Sequence, residues 1–298
     1  MHYNFKNLVF EGGGVKGIAY GGALEALDKK GFLSNITRVA GTSAGAINAT
    51  LLALDYSPAE VSKIIAETDF KNFEDKSSLP VNLYRLFKGY GWFKGDAFRE
   101  WIGEKIKAKT GSARFTFRDL NNAINHDKAK FLQLYVIATN LTQQNAEKFS
   151  SEASPSVPIR DTVRMSMSIP LYFRSVKKFG DVMIDGGVTY NYPINLFDNI
   201  KYLSNEKNIT GKTPDADGYV FNCETLGFRL DSKELIKYNR DDWKNVPIKI
   251  NSFKDYALGL LDFLMDMANK AHLEAEDWNR TIFIDTLDVK TTDFKLKE

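Results

Sequence analysis

The sequence predicts an α/β fold, a three-layer α/β/α arrangement with a mostly parallel central sheet, and three stretches carry that expectation. In the first, the apolar run Leu8-Val9-Phe10 leads into Glu11-Gly12-Gly13-Gly14-Val15-Lys16-Gly17. Ile18, Ala19, Gly22, Ala23, Ala26 and Leu27 then keep helical spacing up to Gly31. In the second, Val39-Ala40 runs into Gly41-Thr42-Ser43-Ala44-Gly45 and the helix-like segment Ala44–Leu54. In the third, Val182-Met183-Ile184 reads as a buried strand ending in Asp185, before Gly186 and Gly187. A strand, a glycine turn and a helix in succession form the repeating unit of a parallel sheet, and functional groups sit at the C-terminal ends of its strands.

The remaining elements follow in chain order. Pro58–Ala66 reads as a helix, and Asp69–Pro80 is polar and rich in turn formers. In Phe87-Lys-Gly-Tyr-Gly-Trp-Phe-Lys-Gly95 aromatics alternate with glycines. That stretch reads either as a hinged loop packing its rings on the domain, or as a mouth for acyl chains or a membrane-touching loop. An amphipathic helix is expected over about Asp96–Lys107. Residues 69–115 are thus expected to form a lid-like insertion in one domain spanning 1–298. Phe131–Asn140 reads as a buried strand, Ser151–Pro158 as a loop, and Ile159–Ile169 as a helix stopped by Pro170. Ile200–Asp217 is polar and expected at the surface. Asp255–Glu276 is expected to be a helix whose broad apolar face, including Tyr256, Leu260, Leu261, Leu264, Met265 and Ala268, packs on the core.

Gly-x-Ser-x-Gly between a strand and a helix is a nucleophile elbow. The turn is expected to thrust Ser43 into solvent, with Gly41 and Gly45 permitting close approach and the Ala44 amide facing a developing anion. Backbone amides of the upstream glycine turn bind either a phosphate or an oxyanion. A Walker loop does not fit, because Gly17 is followed by Ile18-Ala19 instead of lysine and a hydroxyl. Gly12, Gly14 and Gly17 satisfy a dinucleotide fingerprint, but its later acid is unclear and the next strand carries the serine elbow instead. For a base, His2 lies at the terminus and His126 in the polar stretch Asn121–Lys130. His272 sits among Lys270, Glu274 and Glu276 on a helix surface. The order serine, acid, His272 still allows a histidine-dependent esterase. Asp185 is the better candidate, although Asp-Gly alone also suits a hairpin turn. A free aspartate has a pKa of ~3.9, so as a base at neutral pH it must be desolvated.

Taken together, these motifs resemble the patatin-like phospholipases. The resemblance rests on Gly12–Gly17 with Lys16, on Ser43 in its elbow, and on Asp185 with Gly186 and Gly187. Arg164-Met-Ser-Met-Ser-Ile-Pro170, Asn191-Tyr-Pro193 and Arg280–Thr286 extend it over most of the chain. It implies a Ser43–Asp185 dyad and an oxyanion hole from Gly12, Gly13, Gly14 and Ala44, with Lys16 supporting the loop or a substrate phosphate. It further implies a phospholipid or lysophospholipid substrate at a membrane or micelle surface, and allows an inactive lipid-binding protein on the same fold or an activating protein partner of unspecified identity. Glu11 stands where the family often has Asp or Gly. Lys16 stands where Arg is commoner, which keeps the charge and loses the planar fork.

Composition fits such an enzyme. The chain has 298 residues and 43% hydrophobic content, enough for one large core or two modest ones. No run approaches the ~18 apolar residues of a spanning helix, and Met1–Phe10 lacks the apolar segment of a signal peptide. A cytoplasmic or peripherally membrane-associated protein is expected, with export by another route left open. The balance of 40 basic against 38 acidic residues argues against nucleic-acid binding. Cys223 is the single cysteine and suits a buried thiol in a reducing compartment. No metal-ligand spacing occurs, so neither metal nor cofactor is expected.

Overall fold

The computed structural model describes residues 4–75, 78–127, 130–205, 214–231, 249–251, 253–287 and 289. The strands are β1 (Asn7–Phe10), β2 (Arg38–Thr42), β3 (Gly91–Phe93), β4 (Gln133–Asn140), β5 (Asn145–Phe149), β6 (Leu171–Phe173), β7 (Val176–Lys178), β8 (Asp181–Asp185), β9 (Thr225–Asp231) and β10 (Thr281–Asp285). The helices used below are α1 (Tyr20–Lys29), α2 (Ala44–Ala53), α3 (Pro58–Ala66), α4 (Leu79–Gly89), α5 (Asp96–Thr110), α6 (Phe117–His126), α7 (Ile159–Ser166), α8 (Gly187–Tyr190) and α9 (Phe253–His272).

One sheet runs in the order β10-β9-β1-β2-β4-β8-β7, with β5 added on β4. The stretch from β10 to β4 is parallel throughout, whereas β5, β8 and β7 join antiparallel. Parallel strands buried on both faces need continuous apolar runs, which Leu8-Val9-Phe10 supplies. Leu8 and Phe10 enter the large core with α1, α2, α3 and α5, while Val9 and Ala40 enter a smaller one with Tyr135, Tyr192, Ile194 and Phe197 on the other face. Every residue of α2 is buried.

The register of β4 places the catalytic candidates. β5 occupies one edge of β4, so β2 and β8 share the other edge end to end. Thr42 lies opposite Ile137, and Asp185 lies opposite the next residue, Ala138. Asp185 therefore meets the residue after Thr42, which is Ser43. Asp185 does stand at the end of its strand, but the strand is antiparallel and stops there.

Several elements depart from the sequence reading. α6 occupies part of the stretch read as merely polar; Thr116 and Asp119 cap it reciprocally, and Phe117 and Leu120 are buried. β9 passes through the sheet interior between β1 and β10. Within the segment expected to be lid-like, α5 buries Phe98, Ile102 and Ile106 and belongs to the core, and β3 pairs with β6 in a separate small sheet. α4, in contrast, leaves Val81, Tyr84 and Phe87 exposed. α9 does not bury the broad face expected of it. Among its described side chains only the stripe Leu261, Met265 and Asn269 is buried, while Tyr256, Leu260 and Leu264 are exposed. α9 packs on the short α8, and residues spaced four apart along a helix share the face turned to it. Part of the Ile200–Asp217 excursion, 206–213, falls outside the described residues. Among the described residues no helix is long and apolar enough to cross a membrane.

Candidate active site

Ser43 occupies the turn from β2 to α2 with φ 52° and ψ −122°, a conformation L residues rarely hold. The glycines allow it: a side chain on Gly41 would begin 2.3 Å from the Gly45 carbonyl oxygen, and one on Gly45 would begin 2.4 Å from that of Phe10. Ser166, at the end of α7, holds the turn. Its hydroxyl accepts the Ser43 N–H at 2.8 Å and donates to the Ile137 carbonyl at 2.5 Å.

The Ser43 hydroxyl donates to Asp185 Oδ2 at 2.8 Å, and Asp185 Oδ1 accepts the Gly187 N–H at 2.8 Å. Asp185 is fully buried. Burial pushes its carboxyl up to about 7, against the opposing pull of the Gly187 and Ser43 hydrogen bonds. The desolvation that a carboxylate base requires is therefore present. Ser43 itself is only 2% exposed, which corrects the expectation that the elbow thrusts it into solvent. Met167 Sδ lies 3.4 Å from its hydroxyl, and Met265 of α9 closes over Gly187, where an added Cβ would lie 2.5 Å from the methionine methyl.

The glycine loop follows β1. The Gly12 N–H donates to the Asn191 carbonyl at 3.0 Å, so Gly12 is spent on the scaffold and is corrected as an oxyanion donor. Gly14 has φ 55°, and the amides of Gly13, Gly14 and Ala44 donate to no protein acceptor among the described residues. Gly17 faces Ala44, with an added Cβ only 2.9 Å from the Ala44 methyl, so loop and elbow are in close contact.

Glu11 anchors this loop. Its buried carboxylate accepts from the Leu230 N–H at 2.7 Å, Asn269 Nδ2 at 2.7 Å and Asn191 Nδ2 at 3.2 Å. Arg229 Nε stands 4.0 Å away. Burial drives the Glu11 pKa up while Arg229 opposes it, and a group met only by donors is held as an acceptor. Asn191 also donates to the Gly12 carbonyl at 3.2 Å. Lys16 is half-buried on the following turn; burial raises the Asp231 pKa, and the charges of Arg229 and then Lys16 oppose that rise. Among the histidines, His2 lies outside the described residues, and His126 is exposed at the end of α6. His272 is exposed and its Nε2 contacts the Thr189 carbonyl at 3.1 Å.

Ser43, Asp185, Gly13, Gly14 and Ala44 were singled out by motif. The supporting roles of Glu11, Ser166, Met167 and Asn191 were not. Ser166, Met167 and Asn191 were marked only as members of stretches noted for resemblance, and Glu11 only as a departure from the family pattern, because which backbone atom each holds depends on strand register.

The three-layer fold, with a serine elbow beside a buried carboxylate at the sheet's end, is that of a hydrolase-like α/β protein. The chain belongs to the patatin-like phospholipase family, whose profile matches residues 8–198. It is 32% identical to the "Uncharacterized protein YqhO" of Bacillus subtilis, covering 97% of this chain and 90% of that protein. It is 30% identical to the "Probable lipid hydrolase 463L" of Invertebrate iridescent virus 6, over 68% of this chain and 66% of that protein. Among solved structures, VipD from Legionella pneumophila superposes with a TM-score of 0.57 at 20% identity, over 97% of this chain and 62% of VipD. That likeness concerns the fold.

Proposed function

We propose that this protein is a lipid acyl hydrolase of the phospholipase A or lysophospholipase type, working through a Ser43–Asp185 dyad. The observation that carries the reading is the 2.8 Å hydrogen bond from the Ser43 hydroxyl to a buried carboxylate whose pKa stands at about 7. Ser43 Oγ attacks the ester carbonyl while Asp185 takes its proton. The oxyanion is met by the unclaimed amides of Gly13, Gly14 and Ala44, the last aided by the positive end of α2. Asp185 then returns the proton to the departing alcohol. Water, deprotonated by Asp185, cleaves the acyl-serine and restores the dyad. Lys16 supplies positive potential beside the loop, and family membership supports a lipid ester as substrate.

The test is fluorophosphonate labelling, which reads the nucleophile whatever ester the enzyme prefers. Wild type should label and hydrolyse a micellar phospholipid ester, and Ser43→Ala should do neither while keeping its fold. Undiminished labelling of the alanine variant would end this reading.

A further inference from the structure

Outside the dyad, a cleft of about 500 Å³ opens between the C-terminal end of α4, the residues after β3, and the start of β7. Its walls carry Lys88, Lys94, Arg99, Arg164, Arg174 and Lys177 against Asp96 and Asp161. Six cations less two carboxylates is a formal +4, where the whole chain carries +2. Asp161 is already committed to Arg99, 2.6 Å from its Nε. Arg164 is 4% exposed and gives three N–H bonds, to Ser168 Oγ, the Lys94 carbonyl and the Arg174 carbonyl, which leaves two of its five donors uncommitted. Among the described residues no carboxylate lies within ion-pair distance of Lys88, Lys94, Arg174 or Lys177. Uncompensated cations around one concavity create a potential that a multivalent anion such as a phosphate relieves.

The surroundings of the cleft indicate where that phosphate comes from. An apolar groove of about 410 Å³ adjoins it, shares Tyr90 and Ser175 with it, and is lined by Leu141, Pro170, Leu171 and Val182. Beside the cleft, Phe87 on α4 is 76% exposed, directly before Lys88, with Tyr84 exposed one turn earlier. At the tip of the β7–β8 hairpin, Phe179 is 96% exposed and follows Lys177 and Lys178. Phe179 and Gly180 both have positive φ, the pattern of a tight hairpin turn that projects the ring outward. A soluble phosphate compound has no use for an apolar collar, whereas a lipid surface offers phosphate and hydrocarbon together.

We infer that this face docks on an anionic lipid surface, the cleft receiving the phosphate of a lipid headgroup while Phe87 and Phe179 enter the acyl boundary. The inference rests on the lipid-hydrolase reading and adds to it a headgroup site distinct from the dyad.

The experiment uses the full-length Ser43→Ala protein, which leaves lipid intact, with sedimenting vesicles of phosphatidylcholine alone or of phosphatidylcholine containing phosphatidic acid. Binding should require phosphatidic acid and weaken as salt is raised. Lys88→Gln combined with Lys177→Gln should weaken it about 25-fold, at roughly fivefold per charge. Phe87→Ser combined with Phe179→Ser should weaken it at least about tenfold. Either pair, made in the protein that retains Ser43, should leave circular dichroism and fluorophosphonate labelling unchanged. Equal binding to phosphatidylcholine alone, or binding indifferent to the lysine pair, would overturn the docking site. So would inorganic phosphate bound in solution as tightly as the vesicles, which would make the ligand a soluble one. Absence of labelling in wild type, with intact vesicle binding, would sink the hydrolase reading and spare the surface; the converse would sink the surface alone.

Discussion

Asp185 must be charged to take a proton from Ser43, and its burial opposes that charge. With the carboxyl at about 7, the active ionised form is half populated near neutrality. The value of kcat/KM for a soluble ester should therefore rise with pH and reach half its plateau near pH 7, where an ordinary aspartate would give a plateau from about pH 5 upward. A native-state pKa raised above the unfolded value means that the folded protein holds the proton more tightly. This contribution to stability is complete below the unfolded value of 3.8 and is lost as pH rises through about 7. Asp185→Asn should thus cost several orders of magnitude in turnover, yet gain on wild type in unfolding free energy as pH rises from 4 to 8, by up to a few kcal/mol in urea titrations. His272→Ala should keep turnover within about twofold, since its ring meets the Thr189 carbonyl. A collapse of activity in that variant with an intact fold would move the base role to the histidine.

At the scale of elements, the site is a junction of β1, β2, β8 and α9 held by Glu11. The carboxylate gathers donors from β9 through Leu230, from α9 through Asn269, and from Asn191 beyond α8. Glu11→Gln is close to isosteric but turns one acceptor into a donor, which then faces an N–H. That mismatch should cost about 1–3 kcal/mol in urea unfolding. Because Asn191 carries the Gly12 amide and carbonyl, the glycine loop should also loosen, slowing fluorophosphonate labelling with little change in probe affinity. Normal labelling in a destabilised Glu11→Gln protein would confine Glu11 to a structural role. Glu11 was legible in the sequence only as a departure from a family pattern. Its function depends on side chains 180 and 258 residues away, a separation at which no local spacing carries information.

Across the whole molecule, the segment 69–115 divides by packing and not by sequence position. Native-state hydrogen exchange should show α5 amides opening only near the global unfolding free energy, since Phe98, Ile102 and Ile106 are buried in the main core. The amides of α4, whose Tyr84 and Phe87 face outward, should exchange through local opening at least about 100-fold faster. Equal protection of the two helices would restore a single insertion. The fold class, the elbow, the glycine loop and Asp185 were determined by the sequence alone, because backbone strain and close approach demand glycine at fixed spacing and a buried parallel strand demands an apolar run. Tertiary structure alone decided that β8 runs antiparallel and stops opposite Ala138, which puts Asp185 against Ser43. It also decided that the Gly12 amide is occupied, that α9 covers α8, and that lysines and arginines from α4, α7 and β7 share one cleft. Those outcomes depend on which edges and faces meet, and edge pairing is set by the free energy of the whole core, not by any single stretch of chain.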